Sequence, residues 1–128
     1  ETVRRYLVDF GQQNDIRTQG VVDELPDLSV KQEAILFRIF QEAMHNVAKH
    51  AKATAVTVHL GTAADGMAFV TVTDDGHGFD PQAVADRVTS AGGLGLRQMR
   101  ERVEARGGRL EVISGDSGGT TISAAIPA

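Results

Sequence analysis

Two hydrophobic periods share this chain, and they divide it into segments that each leave one apolar face to be covered. Val3, Tyr6, Leu7 and Phe10 recur at helical spacing, so residues from about Thr2 to Asn14 predict a short helix closed by a polar Gln-Gln-Asn-Asp turn. A second helix is predicted from Ser29, an N-cap with Gln32 three residues on for a capping box, to about Ala51. On it Ile39, Phe40, Ala43 and Val47 all fall within roughly 60° of Leu36 at about 100° per residue, a core-facing stripe. A third helix is predicted from about Leu94 to Ala105, with Leu96, Met99 and Val103 inward and Gly107-Gly108 closing it. The remaining runs read as strands: Ile16 to Val22, Thr54 to Leu60, Met67 to Asp74, Arg109 to Ser114 and Thr120 to Ile126. Stripes and strand faces of this kind cover one another, so the expected fold is an α/β (α+β) two-layer sandwich, one sheet with helices on one face.

A chain of 128 residues buries about two thirds of its unfolded surface, and residues 1–128 are expected to form one compact domain. The formal charge of −4, with both signs interspersed, supplies no basic stripe to release counterions from a phosphate backbone, so no nucleic-acid partner is expected. The absence of cysteine excludes disulfides, thiolate zinc sites and thiol nucleophiles, and fits a reducing compartment. No apolar run approaches the roughly 20 residues that span a bilayer. A cytoplasmic location without membrane contact is therefore expected. The chain opens on Glu1 without an initiator methionine, which fits a piece of a longer protein whose membrane anchor, if any, lies elsewhere.

Three constellations carry chemistry. Asp74 shares a strand face with Val70 and Val72, so a carboxylate ends an apolar face. A carboxylate only accepts hydrogen bonds, and adenine offers its exocyclic N6 amino group as a donor. Gly76 and Gly78, in Asp74-Asp-Gly-His-Gly78, let the backbone turn sharply against a flat ligand; a plain surface turn has the same composition. A calcium loop counted from Asp74 fails, because its twelfth position is Ala85. Second, Glu42, Asn46 and Lys49 share one flank of the long helix at i, i+4, i+7. An amide oxygen can ligate Mg²⁺, a lysine can neutralise phosphate, and a carboxylate can order water or accept a proton; a solvated helix flank would carry the same row. Third, Gly92-Gly93-Leu94-Gly95-Leu96 opens a helix and can turn backbone N–H groups toward an anion, although a linker is also glycine-rich. No G-K-[ST] follows, so it is not a P-loop. Of the four histidines, His45 and His50 stand about 140° apart on the helix and His59 and His77 lie in other elements, so no preformed zinc site is expected.

In this order the pieces resemble the GHKL group of ATP-binding domains, the Bergerat fold of gyrase, Hsp90, histidine kinases and MutL. Glu42-Ala-Met-His-Asn46-Val-Ala-Lys49-His50-Ala51 is similar to the N box, Asp74 to Gly78 to the first glycine box, Gly93-Leu94-Gly95-Leu96 to the second, and Gly119-Thr120 to the terminal one. Leu36 to Glu42, and Gly95-Leu-Arg-Gln-Met-Arg-Glu-Arg-Val103, resemble sensor histidine kinases of the nitrate-sensor and desaturase-sensor type. The resemblance implies a mixed sheet of about five strands, with ATP and Mg²⁺ as cofactors. It implies that Asn46 holds Mg²⁺, that Asp74 bonds adenine N6, and that Lys49, His50, Gly76, Gly78, Gly93, Leu94, Gly95, Leu96 and Thr120 line the nucleotide site. Residues from roughly Asp80 to Ala91 would form a lid. Glu42 is the candidate catalytic residue, and an acid beside the acceptor histidine is the alternative base. The γ-phosphoryl group would pass to a histidine on a separate dimerisation domain, which this chain lacks, and onward to a response regulator. The competing readings are an anti-sigma-factor serine kinase of the same superfamily, a gyrase- or Hsp90-like clamp, whose longer domain and N-terminal strap have no counterpart here, and a non-catalytic GHKL scaffold.

Overall fold

The computed structural model describes residues 2–23, 29–48, 53–76, 96–114 and 119–127. Helix α1 (Thr2–Asn14) leads into strand β1 (Arg17–Val22), helix α2 (Val30–Asn46) and the hairpin of β2 (Ala55–Thr62) and β3 (Ala68–Asp74). Helix α3 (Leu96–Glu104) then precedes β4 (Arg109–Ser114) and β5 (Thr120–Ile126). The strands form one five-stranded sheet in the order β1-β2-β3-β5-β4. Among the described strands only β1 and β2 pair in parallel and the other pairs are antiparallel, so the sheet is mixed as expected.

Alternation decides which face is covered. Val56, Val58 and Leu60 of β2, Val70 and Val72 of β3, and Ile122, Ala124 and Ile126 of β5 are buried with the helix stripes in one core. On the other face Thr71 meets Ser123 (Oγ1 to Oγ, 3.1 Å), and Thr73 meets Thr121 (Oγ1 to Oγ1, 3.3 Å), polar pairs suited to water. Helix α1 packs on β1, α2 on β3 and β5, and α3 on β4, which gives the two layers.

Local chemistry sets the helix ends. Ser29 accepts from the Gln32 N–H at 3.1 Å, and the Gln32 side chain accepts from the Ser29 N–H at 2.7 Å, so the expected capping box is formed. Replacing the exposed Ser29 by alanine is expected to cost about 1 kcal/mol, read as a lower urea midpoint with an unchanged slope. Leu36, Ile39, Phe40 and Ala43 turn inward, joined by Met44. Tyr6 ties α1 to this helix, with its ring centroid 5.0 Å from that of Phe40 and 6.2 Å from that of Phe37. The α-helical pattern runs to Asn46 and the turn at Val47 and Ala48 is π-helical, while Lys49 to Ala51, the rest of the expected helix, lie outside the described residues. Helix α3 ends in a Schellman motif: the Gly108 N–H donates to Val103 O, the Gly107 N–H to Glu104 O, and Gly107 takes φ +78°. Among the described residues, no helix is long and apolar enough to cross a membrane.

Candidate functional site

Burying a polar side chain costs free energy unless it has partners, so buried polar groups are few and informative. Among the described residues, the buried polar or charged side chains are Asn46, Asp74 and Thr120, at 6%, 7% and 4% exposure. All three stand among the nucleotide-site residues expected from the sequence. Their elements are adjacent: β3 is the middle strand, β5 lies beside it, and α2 packs over both. Asp74 pairs in register with Val56 on one side and Thr120 on the other.

Asp74 Oδ1 accepts the Gly76 N–H at 2.9 Å, and the backbone N–H of Thr120 also donates to the carboxylate. Burial pushes the Asp74 carboxyl above its usual range, and the neighbouring Asp75 charge adds to this, while the two N–H groups pull it down. A carboxylate has about four acceptor positions, so two backbone donors leave room for a ligand donor. The turn beyond the strand is fixed from the other side by the Gly119 N–H, which donates to Gly76 O.

Asn46 ends α2, one turn after the half-buried Glu42, and the π-helical residues follow it directly. Irregular turns of that kind are frequent at functional sites because they redirect side chains that a regular helix would stack. The Asn46 amide oxygen is a hard donor of the type that Mg²⁺ accepts. Leu96 is the first residue of α3. Lys49, His50, Gly78, Gly93, Leu94 and Gly95, together with the segment Asp80 to Ala91, lie outside the described residues. His45 is exposed, and His59 Nε2 lies 2.7 Å from Asp23 Oδ2 with its ring edge-on to Phe69. A depression of about 230 Å³ lined by Phe69, Arg109, Glu111, Ser123 and Ala125 belongs to the opposite, open face of the sheet. Its Arg109 is engaged with Asp65 at 3.1 Å.

One set of contacts had no counterpart in the sequence reading. Asp75 is exposed, yet its carboxylate collects the Thr54 N–H (2.8 Å), the Ala55 N–H (2.9 Å) and the Thr54 hydroxyl (2.6 Å). These donors, the Thr54 hydroxyl foremost, hold its carboxyl well below the usual range, at about 2. Nothing in the local sequence signals this, because the partners lie 20 and 21 residues away.

The chain is similar to known proteins in sequence and in fold. Residues 31–128 match the family described as "Histidine kinase-, DNA gyrase B-, and HSP90-like ATPase". An uncharacterized sensor-like histidine kinase of Chloroflexus aurantiacus is 40% identical over 100 residues, 78% of this chain and 17% of that protein. The sensor histidine kinase MctS of Rhizobium johnstonii is 37% identical over 119 residues, 92% of this chain and 25% of that protein. The chain thus spans a quarter or less of the length of these two relatives. Among solved structures, the histidine kinase domain of the Erythrobacter litoralis EL346 blue-light activated histidine kinase superposes with a TM-score of 0.76 at 25% identity, covering 96% of this chain and 58% of that one. A buried acid on the central strand, a buried amide at the end of the covering helix and a match over residues 31–128 agree: the chain belongs to the family of histidine kinase-, DNA gyrase B- and HSP90-like ATPases.

Proposed function

We propose that the chain binds Mg-ATP in the cytoplasm and presents its γ-phosphoryl group to a histidine on a separate dimerisation domain of a two-component sensor kinase, which then serves a response regulator. The observation that carries this reading is the coincidence of Asn46, Asp74 and Thr120 as buried polar side chains in an otherwise apolar layer. A layer built only for stability gains nothing from these groups, since each raises a desolvation cost. The names of the kinase relatives support it.

In this reading Asp74 accepts a hydrogen bond from adenine N6, while guanine would turn its O6 acceptor toward the same carboxylate and be rejected. Thr120 and Gly76 hold that carboxylate in place through their N–H groups. The Asn46 oxygen would hold Mg²⁺, which when bound would supply positive charge against the phosphates. Lys49 adds a positive charge, the Gly93 to Leu96 segment offers backbone donors to the phosphates, and His50, Leu94 and Gly78 complete the lining. Glu42, one turn before Asn46, would order or deprotonate the incoming nucleophile. Most of the rate gain then comes from holding the phosphoryl group in line with a histidine supplied by the partner domain.

Calorimetric titration with ATP and with GTP, each with Mg²⁺ and with EDTA, tests this. Saturable binding of ATP but not GTP, weakened by EDTA, is expected. In the Asn46→Ala chain the Mg²⁺-dependent part should fall by about tenfold, with binding in EDTA unchanged, as for the loss of one charge-assisted contact. Equal affinity for ATP and GTP would overturn the base reading. An Asn46→Ala chain that responds to Mg²⁺ as the wild type does would remove the metal from this position.

A further inference from the structure

We propose that Asp75 is a positioning residue for adenine recognition: by clasping the end of β3 to the start of β2, it holds the neighbouring Asp74 carboxylate at the place where the adenine amino group meets it. The proposal rests on the reading of Asp74 as the adenine acceptor.

On its β2 side the strand ladder ends at Asp74. Its register partner there is Val56, and the pairing runs out with that residue. Beyond it, the Asp75 N–H donates to Ala55 O at 3.2 Å, a long bond, and the side chain supplies what the backbone does not. Oδ1 takes both the Thr54 and Ala55 N–H groups, and Oδ2 takes the Thr54 hydroxyl. An exposed carboxylate can satisfy its acceptors with water, whereas this one is satisfied by three protein donors from one short segment. The opposite side of the same turn is held by Gly119 on Gly76 O and by Thr120 on Asp74 itself. Asp74 thus stands between two clasps, one from β2 and one from β5. Hydrogen bonds weaken steeply with angle and distance, so loosening either clasp degrades a contact made through a single carboxylate.

The partners also explain which replacement should be tolerated. Asparagine keeps one oxygen for the paired N–H groups of Thr54 and Ala55, and its amide can donate to the Thr54 hydroxyl oxygen once that hydroxyl turns. Alanine keeps nothing. Asp75→Ala is therefore the lesion and Asp75→Asn the rescue.

The test compares ATP with purine riboside triphosphate, which lacks the 6-amino group and so makes no use of Asp74, in the full chain by calorimetry. Asp75→Ala is expected to lower ATP affinity about tenfold and leave the purine analogue within about twofold, while Asp75→Asn restores most of the ATP affinity. If Asp75→Ala does not fold, Thr54→Val, which removes the hydroxyl and keeps the backbone donors, should lower ATP affinity about threefold with the analogue unchanged, and Thr54→Ser should restore it. Equal losses for both nucleotides, or no loss for either, overturn the positioning role. A wild-type chain that binds ATP and the analogue equally would overturn the Asp74 reading itself, and this inference with it.

Discussion

The Asp74→Asn chain is expected to bind ATP about 100-fold more weakly than the wild type, yet to melt no lower at pH 7. A hydrogen bond to a charged group is worth about 1.5 to 3 kcal/mol, or roughly 10- to 150-fold in affinity, and the upper part of that range applies because the new amide turns a donor toward the N6 donor. The stability half of the prediction follows from burial. Asp74 has its pKa raised in the folded chain, chiefly by desolvation. An acid with a raised folded pKa destabilises the fold at every pH above that value, and the cost disappears as pH falls through it. The neutral amide removes the cost at pH 7 and keeps one oxygen for the Gly76 N–H. Calorimetry with ATP and thermal melts of the unliganded chain read the two halves separately. Undiminished ATP affinity would mean that the base lies elsewhere, and a large drop in melting temperature would mean that the two backbone donors need the charge.

Gly108→Ala should cost about 3 kcal/mol, a large share of the stability of a domain this size. A Cβ on Gly108 would meet the Ala125 carbonyl oxygen closer than real Cβ atoms come, and would also press on Val103 Cγ1 at 2.9 Å and Ile126 Cγ2 at 3.0 Å. The side chains could shift a little, but the carbonyl belongs to β5, which is paired on both sides: Ala125 registers with Phe69 and with Arg109. Backing Gly108 away would strain the Schellman closure, in which its N–H donates to Val103 O. Urea unfolding should show a lower midpoint with an unchanged slope. A wild-type midpoint would mean that Gly108 stands farther from the Ala125 carbonyl than this close approach requires. Gly107→Ala tests φ alone, since its Cβ would find only Pro127 Cγ at 3.6 Å.

The hydrophobic periods in the sequence locate all eight described elements, and the shifts at their ends have local causes. Strand β1 was expected from Ile16 but begins at Arg17, because the Ile16 N–H is taken by Gly11 O. Strand β2 starts one residue after Thr54, whose N–H belongs to Asp75. Strand β3 starts one after Met67, whose N–H belongs to Asp65 Oδ1. The π-helical turn at Val47 and Ala48 is not legible in the sequence, because apolar periodicity continues through Val47 while the hydrogen-bond pattern changes. Strand order and the parallel pairing of β1 with β2 were not legible, since alternation says which face a residue takes and nothing about its neighbour. In the site, Asp74 could be found because an acid ending an apolar face conflicts with its surroundings. Asp75 could not, because its partners come from another strand.

The acid that the proposal assigns to the base stands on the middle strand, with paired neighbours on both sides. Central strands are the last parts of a sheet to open, so such a contact would be ready before any nucleotide arrives and would lose little entropy on binding. It also restricts redesign. Grafting a foreign loop onto this scaffold should alter how the phosphates are held and leave the choice of base untouched; converting the preference from adenine to guanine would require recarving the centre of the sheet.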